Sequence, residues 1–196
     1  NNVTLTARTA GITDGDSGTG FDVVGNLVTL TAQSGIGASG ANASVDLDAT
    51  TVNATNTASG GIFLNMIGTD GVSITAQAQT TGNIAILGTE NVTLTNVDTF
   101  GSDVLVSVSG ADIVANDIVA GANGDITLST NGSGGIAVGH NFSENATPAA
   151  DTTNTSGVPP EGNNFSPRGL TRKNTHSADV DRGGKRRTQL SWHGGR

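Results

Sequence analysis

The chain has 196 residues, no cysteine, 29 glycines and a formal net charge of −8. The lack of cysteine excludes a disulfide framework and any thiolate metal site, and no apolar run of about 18 residues offers a membrane-spanning helix. Aromatic residues make up only 3%, which disfavours a compact globular core, a sugar-stacking platform and a base-stacking surface.

From the amino terminus onward one short phrase keeps returning. It stands as Asn2-Val-Thr-Leu-Thr6, Leu27-Val-Thr-Leu-Thr31, Gly71-Val-Ser-Ile-Thr75, Asn91-Val-Thr-Leu-Thr95 and Gly124-Asp-Ile-Thr-Leu128. Weaker copies lie between, as Gly60-Gly-Ile-Phe-Leu64, Gly82-Asn-Ile-Ala-Ile86 and Gly134-Gly-Ile-Ala-Val138. Each alternates apolar with small polar residues, the period of a strand with one buried face. Each is entered through Gly, Asn or Asp, residues that accept the backbone of a tight corner. Between the early phrases, residues 10–26 and 33–42 are rich in Gly, Ser, Asp and Ala and are expected to project as loops.

Repetition sets the architecture. The second apolar residue of successive phrases falls at Leu64, Ile86, Val106 and Leu128, in steps of 22, 20 and 22. A second series, Ile74 and Leu94, runs between them with a step of 20, and a third phase is suggested around Ile113 and Ile118. A unit of this size that cannot bury its apolar face alone must stack on its neighbours. The expected fold is all-β: a parallel β-helix, or solenoid, over residues 1–142, with each strand paired to its counterpart one coil away.

Beyond residue 142 the alternation stops. Residues 143–167 hold all four prolines among Asn, Thr and Gly and are expected to be a linker. Residues 168–196 are expected to form a basic disordered tail, or to be sequence foreign to the array, as translation across a frameshift would produce. The charge divides accordingly. Residues 1–161 carry fifteen acidic groups and one basic group, Arg8, for a net of −14, and residues 162–196 carry eight basic and two acidic groups, for a net of +6. Such an asymmetry marks a boundary. The chain has no initiator Met and no signal peptide, and it is expected to be a piece of a longer or processed protein.

Few residues suggest chemistry. Asp14-Gly-Asp16-Ser-Gly18-Thr-Gly20-Phe-Asp22 has the carboxylate spacing of a calcium loop, but the twelfth position from Asp14 is Gly25 where an EF-hand needs a Glu. A polar turn is the simpler reading. Asp46 and Asp48, two apart on a strand, should share an outward face. Paired carboxylates can act on glycosidic bonds, yet the array offers one Arg and few aromatics beside them, so solvated surface carboxylates are expected. His140, His176 and His193 lack metal-ligand spacing. Lys185-Arg-Arg187, with Arg182 and Arg196, could contact polyanions, with only Trp192 to stack. The strings at Asn2, Asn53, Asn91 and Asn141 that match a glycosylation acceptor follow from composition. No catalytic residue, cofactor or metal ligand is assigned.

The alternation Ala111-Asp-Ile-Val-Ala-Asn-Asp-Ile118 followed by Gly124-Asp-Ile-Thr-Leu-Ser129 resembles the repeats of filamentous-haemagglutinin-type exoproteins and related bacterial adhesins. The resemblance covers about residues 1–142. It implies that the parallel β-helix is right-handed and that the chain is a rod segment of a large secreted or cell-surface protein that serves adhesion or biofilm contact. Its implied partners are glycans or proteins on host or neighbouring cells, with an outer-membrane transporter for export. Neither a specific nucleic acid nor membrane insertion is expected. Two alternatives remain: a β-helix enzyme acting on polysaccharide, and a calcium-binding β-roll.

Overall fold

The structure is a computed structural model that describes residues 1–15, 18, 20–40, 42–121, 123–144 and 151–154, with backbone alone for 140–144 and 151–154. Its strands, in chain order, are β1 (Asn2–Ala7), β2 (Val23–Ala32), β3 (Val45–Asn56), β4 (Ile62–Met66), β5 (Val72–Ala78), β6 (Ile84–Gly88), β7 (Val92–Thr99), β8 (Val104–Ser109), β9 (Ile113–Ala120), β10 (Ile126–Asn131), β11 (Ile136–Glu144) and β12 (Asp151–Asn154). All strand pairings are parallel. The result is a β-solenoid of about six turns, with no helix among the described residues.

Two series of strands alternate along the chain. The first runs β1-β2-β3-β5-β7-β9-β11 and the second β4-β6-β8-β10-β12. Strand β3 belongs to both: Val45–Leu47 pair with β4, and Thr51–Asn56 pair with β5. Within each strand, period-2 alternation sends every second residue inward, and the parallel register sets each inward residue against its equivalent one coil away.

Apolar columns result. Leu64, Ile86, Val106 and Leu128 form one continuous column, joined at its start by Val45. These four residues are 0% exposed. On the first series, Val28, Val52, Ile74, Leu94 and Ala115 form another. The repeat inferred from spacing is therefore the physical coil.

Two expectations need correction. Ile113 and Ile118 do not begin a third phase. Both lie in β9, where Ile113 pairs with Val92 and Ile118 with Val97. Their odd separation has a local cause: β7 slips register against β5 between Leu94 and Asn96, leaving Thr95 as an extra residue, and β9 follows the same course. A bulge of this kind bends the strand and turns two inward pairs slightly apart. The Gly/Ser-rich interruptions are also more than projecting loops. Ile12 bridges to Ile36 and Ile36 to Ile62, which extends a column through Ile84, Val104 and Ile126. Ile36 is 0% exposed, so its interruption supplies a rung of the core.

The array reaches beyond residue 142. Strand β11 continues to Glu144, and β12 pairs Asp151–Asn154 with Thr127–Thr130 of β10. β12 thus lies inside the segment expected to be linker. The remainder of that segment, and residues 168–196, fall outside the described residues.

Buried polar groups sit at strand ends, where they tie the corners. Asn56 is 1% exposed; its Oδ1 accepts the Gly35 amide at 3.2 Å and its Nδ2 donates to the Ser59 carbonyl at 3.0 Å and to that of Gly60. Thr99 donates to the Ser102 carbonyl, and Thr130 donates to that of Gly134 at 2.9 Å. Each thereby avoids the cost of an unsatisfied buried polar group.

Ile86→Ala should therefore cost about 2–5 kcal/mol in urea denaturation, since it opens a gap in a closed column. Thr93→Ala, at an outward position between Val92 and Leu94, should stay within about 0.5 kcal/mol. Equal effects at the two positions would contradict the column packing.

Candidate functional site

The outer surfaces of the two series differ. The first series presents Thr, Ser, Asn and Gln, as in the rows Thr29-Asn53-Thr75 and Thr31-Thr55-Gln77. The second series presents Phe63, Ala85, Leu105 and Thr127 in one row, with Leu87 beside it. Leu87 and Leu105 are 37% and 40% exposed, so this row forms an apolar floor open to solvent.

A groove of about 450 Å³ lies over that floor. The turn containing Ser39 and Gly40 walls one end, with Ser44. The turn is closed by the Ala38 amide donating to the Ala43 carbonyl at 2.7 Å. Gly37 lets it seat tightly: its φ is 64°, and a Cβ there would overlap the Phe63 carbonyl. Along the side of the groove stand Asn83, Asp103 and Asp125.

These three form a ladder with a structural cause. The Asp103 amide donates to Asn83 Oδ1 at 3.1 Å, and the Asp125 amide donates to Asp103 Oδ1 at 3.1 Å. A matching ladder runs along the other corner, where the Asp112 amide donates to Asn91 Oδ1 at 2.9 Å and the Gly135 amide to Asp112 Oδ1 at 2.7 Å. Each short side chain reaches exactly one coil, the distance between hydrogen-bonded strands. The Asn or Asp that introduces a strand phrase therefore supplies an acceptor to the next coil.

The sequence-predicted residues occupy different settings. Asp16 lies outside the described residues. Asp22 joins the corner scheme, its Oδ2 accepting the Asp46 amide at 2.8 Å while its own amide donates to the Asp46 carbonyl at 2.9 Å. Asp46 is not a solvated surface carboxylate: it is 6% exposed, and its Oδ1 accepts Asn65 Nδ2 at 2.8 Å. Asp48 is half-buried, with its Oδ1 close to Gly68 beside the Glu90 carboxylate. The side chain of His140, and all of His176, His193 and Lys185–Arg187, lie outside the description. Among the described residues no three His, Asp or Glu side chains converge to hold a metal ion.

Glu90 has no precedent in the sequence reading. It is 4% exposed and accepts the Gly68 and Gly71 amides at 3.2 and 2.9 Å. Burial pushes its carboxyl above the usual range. The two backbone hydrogen bonds pull it back in part, and the charges of Asp48 and Asp70 raise it further. Asp98 is also raised, first by burial and then by Asp117. The groove floor was similarly unforeseen, although the unbroken apolar runs Ile62-Phe63-Leu64 and Ile84-Ala85-Ile86-Leu87 carried the signal.

Comparison with known proteins finds no matching family model, no matching curated protein and no matching solved structure.

Two expectations follow. Asp112→Ala should cost about 0.5–1.5 kcal/mol by orphaning the Gly135 amide, whereas Asp112→Asn, which keeps the acceptor, should be close to neutral in the same denaturation assay. Glu90 and Asp98 bind protons more tightly folded than unfolded, so stability should fall as pH rises from the ordinary carboxylate range through their raised values. The melting temperature should then increase on acidification from neutral pH towards that range, and Glu90→Gln should flatten the dependence. An unchanged slope in that variant would remove Glu90 from the account.

Proposed function

We propose that this chain is a scaffold segment: a rod of stacked coils from a bacterial surface or secreted adhesin, which carries exposed faces into contact with glycans or proteins of other cells. The observation that carries this reading is the unbroken parallel ladder from β1 to β12, with side-chain acceptors at the corners committed to the next coil. The Asp103 and Asp112 carboxylates, which could otherwise face a substrate, join adjacent coils. Asp103 and Asp125 border the groove; the Asp103 carboxylate is held in the corner ladder, where it accepts the Asp125 amide, and among the described residues no Lys or Arg lines the groove. The wide Thr, Ser and Asn face of the first series suits a surface in permanent contact with water.

The reading also suits the mechanics of stacked repeats, where each coil is stabilised by its nearest neighbours and the rod extends by adding more. Its filamentous-haemagglutinin-like character rests on the alternating repeat phrases and their solenoid packing.

The test immobilises the full chain on beads and measures retention on cultured cell layers and on glycan-coated surfaces under flow. Retention that exceeds that of beads bearing the heat-denatured chain is expected. Release of reducing sugar ends from a polysaccharide panel, with no retention, would replace the scaffold by the enzyme.

A further inference from the structure

The groove over β4, β6, β8 and β10 is apolar on its floor and acidic along one side. Its lining holds Phe63, Leu87 and Leu105 together with Asp103 and Asp125 and, among the described residues, no cationic side chain. An occupant of matching chemistry carries exposed apolar groups beside positive charge. We propose that the groove is the docking site of the chain's own basic carboxy-terminal segment, residues 168–196, with Leu190 and Trp192 against the floor and Lys185–Arg187 towards Asp103 and Asp125.

Three observations converge on this occupant. The first is charge: residues 162–196 carry a net of +6 and residues 1–161 a net of −14, so the segment and the rod attract each other. The second is position. Thr127 lines the groove and also pairs with Asp151 of β12. The chain therefore leaves its last described strand at Asn154, opposite Thr130 and three residues along from the groove, on the sheet that bears it. The third is reach. From Asn154 to Arg168 there are fourteen residues, able to extend about 46 Å at about 3.3 Å each. The floor from Phe63 to Thr127 crosses four strands, a span of only about 15 Å at about 4.8 Å per strand.

Docking in this mode joins two weak contributions, apolar contact on a shallow floor and charge attraction at its edge. Both act at high effective concentration because the segment is tethered. The contact is accordingly reversible and sensitive to salt.

Trp192 is the only tryptophan, so fluorescence of the intact chain reports on this segment alone. In low salt its emission should be blue-shifted, and its quenching by acrylamide weaker, relative to the denatured chain. Sodium chloride at about 1 M, where the screening length falls to about 3 Å, should move both readings towards the denatured values. The double variant Asp103→Asn/Asp125→Asn keeps the Asp103 acceptor of the ladder but removes both charges, and should have the same effect in low salt with an unchanged far-ultraviolet circular dichroism spectrum. Leu105→Ser should do so from the apolar side. Emission in low salt equal to that of the denatured chain would overturn the proposal, as would a buried Trp192 indifferent to salt and to all three substitutions. A blue shift that grows with protein concentration would assign the groove to a second copy and overturn docking within one chain.

Discussion

The parallel register between coils is the constraint from which the rest of this molecule follows. Because each strand pairs with the strand one coil away, an inward side chain meets its own equivalent above and below. Ile12, Ile36, Ile62, Ile84, Val104 and Ile126 lie in one such line, and Val28, Val52, Ile74, Leu94 and Ala115 in another. A side chain at the middle of a column is covered by its neighbours and by the opposite series, which removes its surface from water. No single coil could do this alone. The stability of the rod is therefore a property of adjacency, which is why neighbouring coils keep similar lengths while their outward residues vary.

Register also dictates how corners are built. A chain that turns at each strand end exposes backbone amides that water would otherwise have to satisfy. Here Asn83 and Asp103 on one edge, and Asn91 and Asp112 on the other, accept amides from the following coil. Inside the corners Asn56 accepts the Gly35 amide of the preceding coil and donates to the Ser59 carbonyl, and Thr99 donates to the Ser102 carbonyl. Glycines fit where turns of successive coils touch: a Cβ on Gly124 would overlap the Ser102 carbonyl, and one on Gly134 the Ala111 carbonyl. The abundance of Gly, Asn and Asp is the chemical record of this stacking.

The two outer faces then acquire separate characters at no cost to the core. Outward positions are free of the column constraint, so the first series carries Thr, Ser and Asn while the second carries Phe63, Ala85, Leu87 and Leu105. A contiguous apolar strip of this kind, across β4, β6 and β8, is what distinguishes a contact region from plain scaffold. The acidic array and the basic sequence that follows it carry opposite charge.

The amino-acid sequence by itself determined the class of fold, the length of the coil and the membership of the main columns. These were legible because alternation and repetition are local properties, and Leu64, Ile86, Val106 and Leu128 advertise them at regular intervals. It did not reveal Ile36 as core, because one apolar residue among Gly and Ser has no alternation to betray it. It did not place Ile113 and Ile118 on one strand, because a bulge breaks the period on which the reading depends. Nor could it distinguish Asp46, buried against Asn65, from a carboxylate in solvent. The burial of Glu90 and the assembly of the groove from four strands and a returning turn were decided only in three dimensions. Both depend on which residues of different coils are brought side by side, and separation along the chain carries no measure of that contact until the coils have stacked.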